Sequence, residues 1–519
     1  MVKTKSKKAE HPSQAYTGLK RRFKNIGRLA AIAEIISRDF LTTMPEGAYE
    51  GRLDQISYLH RRIHDDIVSS ETHAQLEEAQ EHRATHPKLW DEWDSANLKG
   101  MFAIYKGHAI LDHDTMEESA MIANEGRRIH RECLKNNDWE LAQAHLERVV
   151  AHTRKLARKK AKAYNSATPY EALIQEYSPG VSLSQIWTWF NQLNTELKGL
   201  LPLVMERQKS RTPVVSLEGG YSKEGQMWLN RSLLELLGFD FERGGLYETG
   251  HSPVEGGTPD DTRLVIKNVD TKNFLDSMKS ALHEGGHGLY IQGLPKKGGL
   301  SYQPVSHDLG TTMHESQALL VEMILGRTPE FFEFLAPRLE GLFHTVRDPS
   351  LTAGNLYRMK TRVRPSLDRK SADELTYFFH VFLRFQIECD LIEGKMEVAD
   401  IPAYWTEWMH DNLGVMPQDH SEGIMQDVHW FVGKFGYFQA YTLGHMVATQ
   451  LYDTMQHDIP DMHSRIRNGD FKPITKWLNR HIHSKGSIQS WDDLLREVTG
   501  NDPSPDFLIS HIERKYLGE

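Results

Sequence analysis

Cysteine is nearly absent. Cys133 and Cys389 are the only two in 519 residues, too few for a disulfide framework or a cysteine-ligated zinc site. A reducing, cytoplasmic setting is the expectation. No stretch approaches the ~18 uncharged apolar residues that a membrane-spanning helix needs, so no membrane association is expected. Basic residues do not dominate either: 62 lysines and arginines face 71 acids, a net charge of −9. The excess is spread along the chain, which argues against nucleic acid as a partner. Long Pro/Ser linkers, repeats and low-complexity tracts are missing, and β-branched runs are scarce. The expectation is a mainly α fold, one large helical body. Lys3, Lys5, Lys7 and Lys8 precede no apolar segment, so residues 1–14 read as a solvated basic tail and residues 15–519 as the single body.

Apolar residues recur at helical spacing over long stretches. Several long helices are expected from Ala15 to Lys162, and the basic run Arg154, Lys155, Arg158, Lys159, Lys160, Lys162 reads as a solvated helix face. Ser182 with Gln185 has the form of a capping box opening a helix. Between Pro213 and Val269 glycines multiply, and Gly245–Thr249 and Arg263–Val269 read as short strands of a small sheet or ribbon. Its edge offers a place for a peptide to add as a strand.

Histidine is abundant, at 27 residues, and spacing rather than number singles out the informative ones. Phe274, Met278, Ala281 and Leu282 mark the buried face of a helix. On it His283 and His287 stand one turn apart, where two imidazoles can grip one cation. Glu284, rotated by about 100° from His283, can address a water on that cation. This is the H-E-x-x-H arrangement of zinc peptidases. Gly285, Gly286 and Gly288 each cost a helix about 1 kcal/mol against alanine, which makes sense if another backbone or a substrate approaches there.

A catalytic zinc site wants a third protein ligand and an open position. The Gly- and Pro-rich segment Gly293–Gly310 can reverse the chain into a helix Thr311–Leu325, which carries His314 and Glu315. Spacing admits either as the third ligand. Glu322, two turns on, is a candidate acceptor for a ligand imidazole N–H. Further along, Gly423–Trp430 and Phe435–Phe438 interleave polar and aromatic residues as a pocket wall does. His429 and Tyr437 are candidate oxyanion donors; Gln426 and Asp427 are candidate substrate-binding or orienting groups.

These residues resemble the carboxypeptidase Taq family of thermostable metallocarboxypeptidases. The family's H-E-x-x-H is His283 to His287, its H-E-S-Q is His314 to Gln317, its x-R-x-x-A-D-E-x-T-Y is Arg369 to Tyr377, and its G-x-x-Q-D-x-H-W is Gly423 to Trp430. Weaker similarity runs from about Ala15, through Met44-Pro45-Glu46-Gly47, to the C-terminus. The resemblance implies a deep groove with zinc at its floor, Glu315 as third ligand, removal of single C-terminal residues, and a homodimer. Cobalt or manganese would accept similar ligands. The chain departs from the family at His251-Ser252-Pro253, for H-P-F, and at Asp261-Thr262-Arg263-Leu264-Val265, which lacks the threonine of D-x-R-x-T. Both bear on side-chain preference.

The expected mechanism is hydrolysis by a metal-activated water, with Glu284 as general base and acid. A peptide's free C-terminus calls for a fixed cation, preferably arginine. Arg263 and Arg384 are the candidates, with His251 a further pocket residue; an internal ion pair of Arg384 with Asp373 or Glu374 is the competing reading. The alternatives are a related helical zinc oligopeptidase or dipeptidyl carboxypeptidase, and a non-catalytic helical scaffold.

Overall fold

The computed structural model describes residues 13–248, 257–267, 269–296, 299–345 and 347–518. Within them the chain is helical almost throughout, with one small sheet. Ser13 opens the first helix, Gln14–Thr42, by accepting the Tyr16 amide, so this helix starts at the end of the stretch expected as a tail; the lysines of that stretch lie outside the described residues. The long helices Glu92–Ala109, His113–Asn136 and Trp139–Tyr164 are each opened by an aspartate, Asp91, Asp112 and Asp138, that accepts a first-turn amide. The expected capping box at Ser182 and Gln185 is present.

Two large apolar clusters form, with a small third one of Ile266, Val269 and Ala281. The first, with Tyr16, Leu19, Phe23, Leu76, Leu98 and Met101, holds the N-terminal helices together. The second runs from Ile122 to Leu517 and fills the rest of the body. Asn97 ties them, donating to Gln303 Oε1 (2.9 Å) and accepting the Val305 amide (3.2 Å). Part of the basic run is a tie rather than a solvated face: Arg154 donates to the carbonyls of Leu391 (2.6 Å) and Met396 (2.9 Å), and Lys159 reaches Asp112 (2.8 Å).

The sheet consists of β1 (Gly244–Glu248) and β2 (Thr262–Ile266); each begins one residue earlier than the sequence suggested, β2 ends at Ile266 rather than Val269, and Thr249 lies outside the described residues. The strands are parallel, with Gly245 opposite Arg263, so the connection between them must be long. β2 is buried from Leu264 to Ile266, whereas Tyr247 and Glu248 leave β1 exposed. No helix among the described residues is long and apolar enough to cross a membrane.

Candidate active site

Asn273 caps the helix Phe274–Gly293 by accepting the Leu275 amide (3.1 Å). Phe274, Met278, Ala281 and Leu282 are buried, and His283, Glu284 and His287 occupy a half-exposed face. The glycines admit close neighbours. A Cβ on Gly286 would lie 2.6 Å from Ala318 Cα and nearer still to the Gln317 carbonyl oxygen. One on Gly288 would lie 2.7 Å from the Phe239 ring, and one on Gly285 would strike Leu234. Gly286 therefore lets the helix Thr311–Leu319 approach backbone to backbone. On the opposite side Gly444, in the helix Gln439–Asp458, does the same, its absent Cβ 2.9 Å from that of Glu315. Squeezed between two glycines, this short helix delivers buried Glu315 to the histidine pair.

His283 Nε2 lies 3.9 Å from Glu315 Oε2, and His287 Nε2 lies 4.0 Å from Oε1. One donor atom from each of the three residues falls within 4.8 Å of the others. The imidazoles are held from behind. His283 Nδ1 meets Glu322 Oε2 at 3.1 Å, and His287 Nδ1 meets His314 Nδ1 at 2.5 Å. Glu322 is itself gripped by Arg327 (2.7 Å) and Lys279 (3.8 Å). It arrives by an unexpected route: the helix expected to run to Leu325 gives way after Leu319 to one π turn, Leu320–Ile324. Such wide turns are frequent at functional sites.

The recess fits a divalent cation. Glu315 Oε2 is buried without a hydrogen-bond partner, as a ligand oxygen awaiting a cation should be. Two imidazoles and a carboxylate are the donor set of a catalytic zinc site, and separations of 3.9 and 4.0 Å are a small side-chain adjustment from the ~3.3 Å edge of such a tetrahedron. Burial alone would lower the pKa of His283, but the hydrogen bond with Glu322 and the charges of Glu315 and Glu284 hold it at about 9. Burial and the neighbouring Glu315 push Glu284 up to about 7. The first shift expresses the carboxylates gathered around His283; the second expresses burial first and the neighbouring Glu315 after it.

The second cluster borders this recess. His429 lies tilted against Phe438 (4.7 Å between centroids, 54° between planes) and 5.1 Å from the Tyr437 ring. Its Nδ1 is buried without a hydrogen-bond partner, 3.7 Å from Asp427. Burial and the cations Arg369, Lys434 and Arg384 hold His429 near pKa 3, hence neutral. Burial and the charge of Glu315 raise the Tyr437 phenol, keeping its proton.

Asp427 does not face solvent. It accepts from Arg369 Nη2 (2.7 Å) and Arg384 Nε (2.6 Å). Arg384, 1% exposed, also donates to the His380 carbonyl (2.8 Å) and Gln426 Oε1 (3.1 Å). The ion pair weighed for it exists, with Asp427 rather than Asp373 or Glu374. Glu374 is taken by Lys515 (2.5 Å) and His511 (2.9 Å) of the C-terminal helix, and Asp373 binds the Thr376 amide and the Arg364 amide. Gln426 likewise spends its amide on the Leu367 carbonyl (2.6 Å). Arg263 forks onto its neighbour Asp261 (2.5 and 2.8 Å), and His251 lies outside the described residues.

Two residues escaped the sequence reading. Arg369 pairs with Asp427, lies over the Tyr441 ring (4.9 Å) and is within electrostatic reach of Glu315; only its place in a quoted motif marked it. Glu388, fully buried, accepts from Trp430 Nε1 (2.8 Å), the Tyr170 hydroxyl (2.8 Å) and the Gly436 amide (2.9 Å). It thereby fixes the loop carrying His429 and Tyr437, and no sequence pattern announces it.

Known proteins share both sequence and shape. Thermostable carboxypeptidase 1 of Thermus thermophilus is 30% identical over 97% of this chain and 99% of its own. Carboxypeptidase 1 of Bacillus subtilis is 28% identical over 95% of this chain and 96% of its own. The solved structure of Trypanosoma cruzi metallocarboxypeptidase 1 superposes with a TM-score of 0.92 at 32% identity, covering 97% of this chain and 99% of that one. Residues 18–516 match the family described as carboxypeptidase Taq (M32) metallopeptidase, and the chain belongs to that family of metal-dependent carboxypeptidases.

Proposed function

We propose that the protein is a zinc carboxypeptidase that releases single residues from peptides with a free C-terminus, His283, His287 and Glu315 holding the metal. The observation that carries this reading is the convergence of two Nε2 atoms and an unpartnered carboxylate oxygen, each imidazole fixed through its other nitrogen. When bound, zinc supplies Lewis acidity that polarises a scissile carbonyl and acidifies a water. Glu284, in the same recess, takes the proton of the attacking water and passes it to the leaving amine. Neutral His429 and protonated Tyr437 donate to the developing oxyanion.

Arg369 reads the terminal carboxylate. Two guanidiniums share the single charge of Asp427, which leaves one cation uncompensated, and Arg369 is the one that reaches toward Glu315. Arg384 and Gln426 position it from behind. Arg263, already forked onto Asp261, belongs to the ribbon and the upstream part of the substrate. Cys133 and Cys389 are unpaired and buried, which supports a reducing, cytoplasmic setting; the homodimer follows from the family resemblance, and sedimentation velocity tests it.

Elemental analysis and peptide hydrolysis of Glu284→Gln test the core of this reading. Metal content is expected near normal, with hydrolysis reduced by at least ~10²-fold. Retained hydrolysis removes Glu284 from the mechanism. Arg369→Met should weaken kcat/KM on free-carboxylate peptides by ~10- to 100-fold; an unchanged value would move that role elsewhere.

A further inference from the structure

The chain is acidic overall, with a net charge of −9, yet cations crowd the rim of the active site. Around the recess, Arg369 and Arg384 share Asp427, and Lys279 and Arg327 share Glu322, while Glu284 and Glu315 are the two further carboxylates inside it. Beyond these pairs stand Lys267, Lys370, Lys434 and Arg127, none with a carboxylate partner among the described residues. Lys267 directly continues β2, and its amide donates to Ser280 on the histidine-bearing helix (3.4 Å). It lies within electrostatic reach of both Glu284 and Lys370. The carbonyl of Lys370 accepts from Lys279 (2.5 Å), one turn before His283. Across the recess Lys434 sits over the Tyr437 ring (5.3 Å), with Arg127 within electrostatic reach of it.

Several unpartnered cations around one recess, on elements distant in sequence, cost self-repulsion that a ligand of opposite charge relieves. Lys267 follows Ile266, the last residue of β2, at the end of the ribbon to which an extended peptide would add. The terminal carboxylate is already assigned to Arg369, which leaves these lysines for the part of the substrate upstream.

We propose that the cleft selects peptides with acidic side chains upstream of the scissile bond, with Lys267 and Lys370 as the residues that read them and Lys434 and Arg127 adding to the attracting field. The proposal rests on the peptidase reading above and narrows its substrate class. Each partly exposed pair of charges contributes little alone, so the expected preference is about fivefold for two pairs, screened by salt.

The test uses three fluorescent peptides with the same C-terminal dipeptide, preceded by Glu-Glu, Gln-Gln or Lys-Lys. Dissociation constants are measured on the full-length, metal-loaded Glu284→Gln protein at low and moderate ionic strength, and kcat/KM on the native protein. The acidic peptide should bind about fivefold tighter than the neutral one, with the gap closing as salt rises. Lys267→Gln combined with Lys370→Gln should abolish that gap and leave the neutral peptide's Kd on the Glu284→Gln background unchanged. Equal binding of acidic and neutral peptides overturns the proposal, as does an equal loss for both in the double variant. Because binding is read on a variant that need not turn over, absent hydrolysis by the native protein would refute the peptidase reading without masking this result.

Discussion

Replacing Gly286 by alanine should part the two helices that build the metal site. The added Cβ would fall 2.6 Å from Ala318 Cα. Both groups belong to helix backbone, so no side chain can swing away. Restoring ordinary van der Waals contact requires the helices to separate by about 0.8 Å locally. Overpacking of this kind costs ~1–3 kcal/mol, and the gain in helix propensity returns about 1 kcal/mol. Net destabilisation is therefore modest, about 0–2 kcal/mol. The effect on the metal is larger. The separation moves Glu315 away from imidazoles that already stand 3.9 and 4.0 Å from it, and such sites need their ligands placed to within ~0.5 Å. Metal affinity should fall by at least ~10-fold, read by competition with a chromophoric chelator. Gly199→Ala is the control: that helical glycine has nothing within 4 Å of its missing Cβ, so alanine should stabilise by up to ~1 kcal/mol and leave metal affinity unchanged. Native metal affinity in Gly286→Ala would refute the close approach as the device that positions Glu315.

Further outcomes follow from the buried charges. Asp427→Asn leaves Arg369 and Arg384 facing a neutral amide and should destabilise by ~3–5 kcal/mol in denaturant unfolding; a loss under about 1 kcal/mol would contradict their mutual dependence. Burial raises Glu388 to about 7 in the fold, against about 4.3 in the unfolded chain. The native state thus binds this proton more tightly. Stability relative to Glu388→Gln should be lost as pH rises from about 4.3 through 7, by at most about 4 kcal/mol. A difference independent of pH between 5 and 8 would show that its three donors already compensate the buried charge. Glu322→Gln keeps the shape but weakens the acceptor for His283 Nδ1 and should cost ~10- to 100-fold in metal affinity, measured by the same chelator competition.

Periodicity and turn chemistry made the helical class readable, and at His283 and His287 the period of the helix made the geometry readable too, because i and i+4 share a face whatever the tertiary structure. The glycines beside them signalled a close approach but not its source; only the fold shows that Gly286 and Gly444 clamp one helix from both sides. Glu322 was placed on the right side of its helix by counting turns, although the π turn that brings it to His283 carries no sequence mark. Arg384 shows the limit. An arginine among apolar residues announces a buried partner, but the partner is Asp427, 43 positions away, where sequence proximity favoured Asp373 and Glu374. Those two are consumed by a turn and by the C-terminal helix, contacts that no local pattern encodes. The sheet was located to within three residues at each strand end, whereas its parallel pairing depends on how far the connecting chain travels.

The central claim is that a divalent cation held by His283, His287 and Glu315 removes residues one at a time from a free C-terminus. The most direct measurement is a mass-resolved time course on one unmodified peptide and its C-terminal amide, with the protein metal-loaded or chelator-treated. The account predicts a ladder of single-residue losses from the C-terminus, abolished by the chelator, restored by zinc, and absent for the amide. Internal cuts, dipeptide losses or equal cleavage of the amide would contradict it.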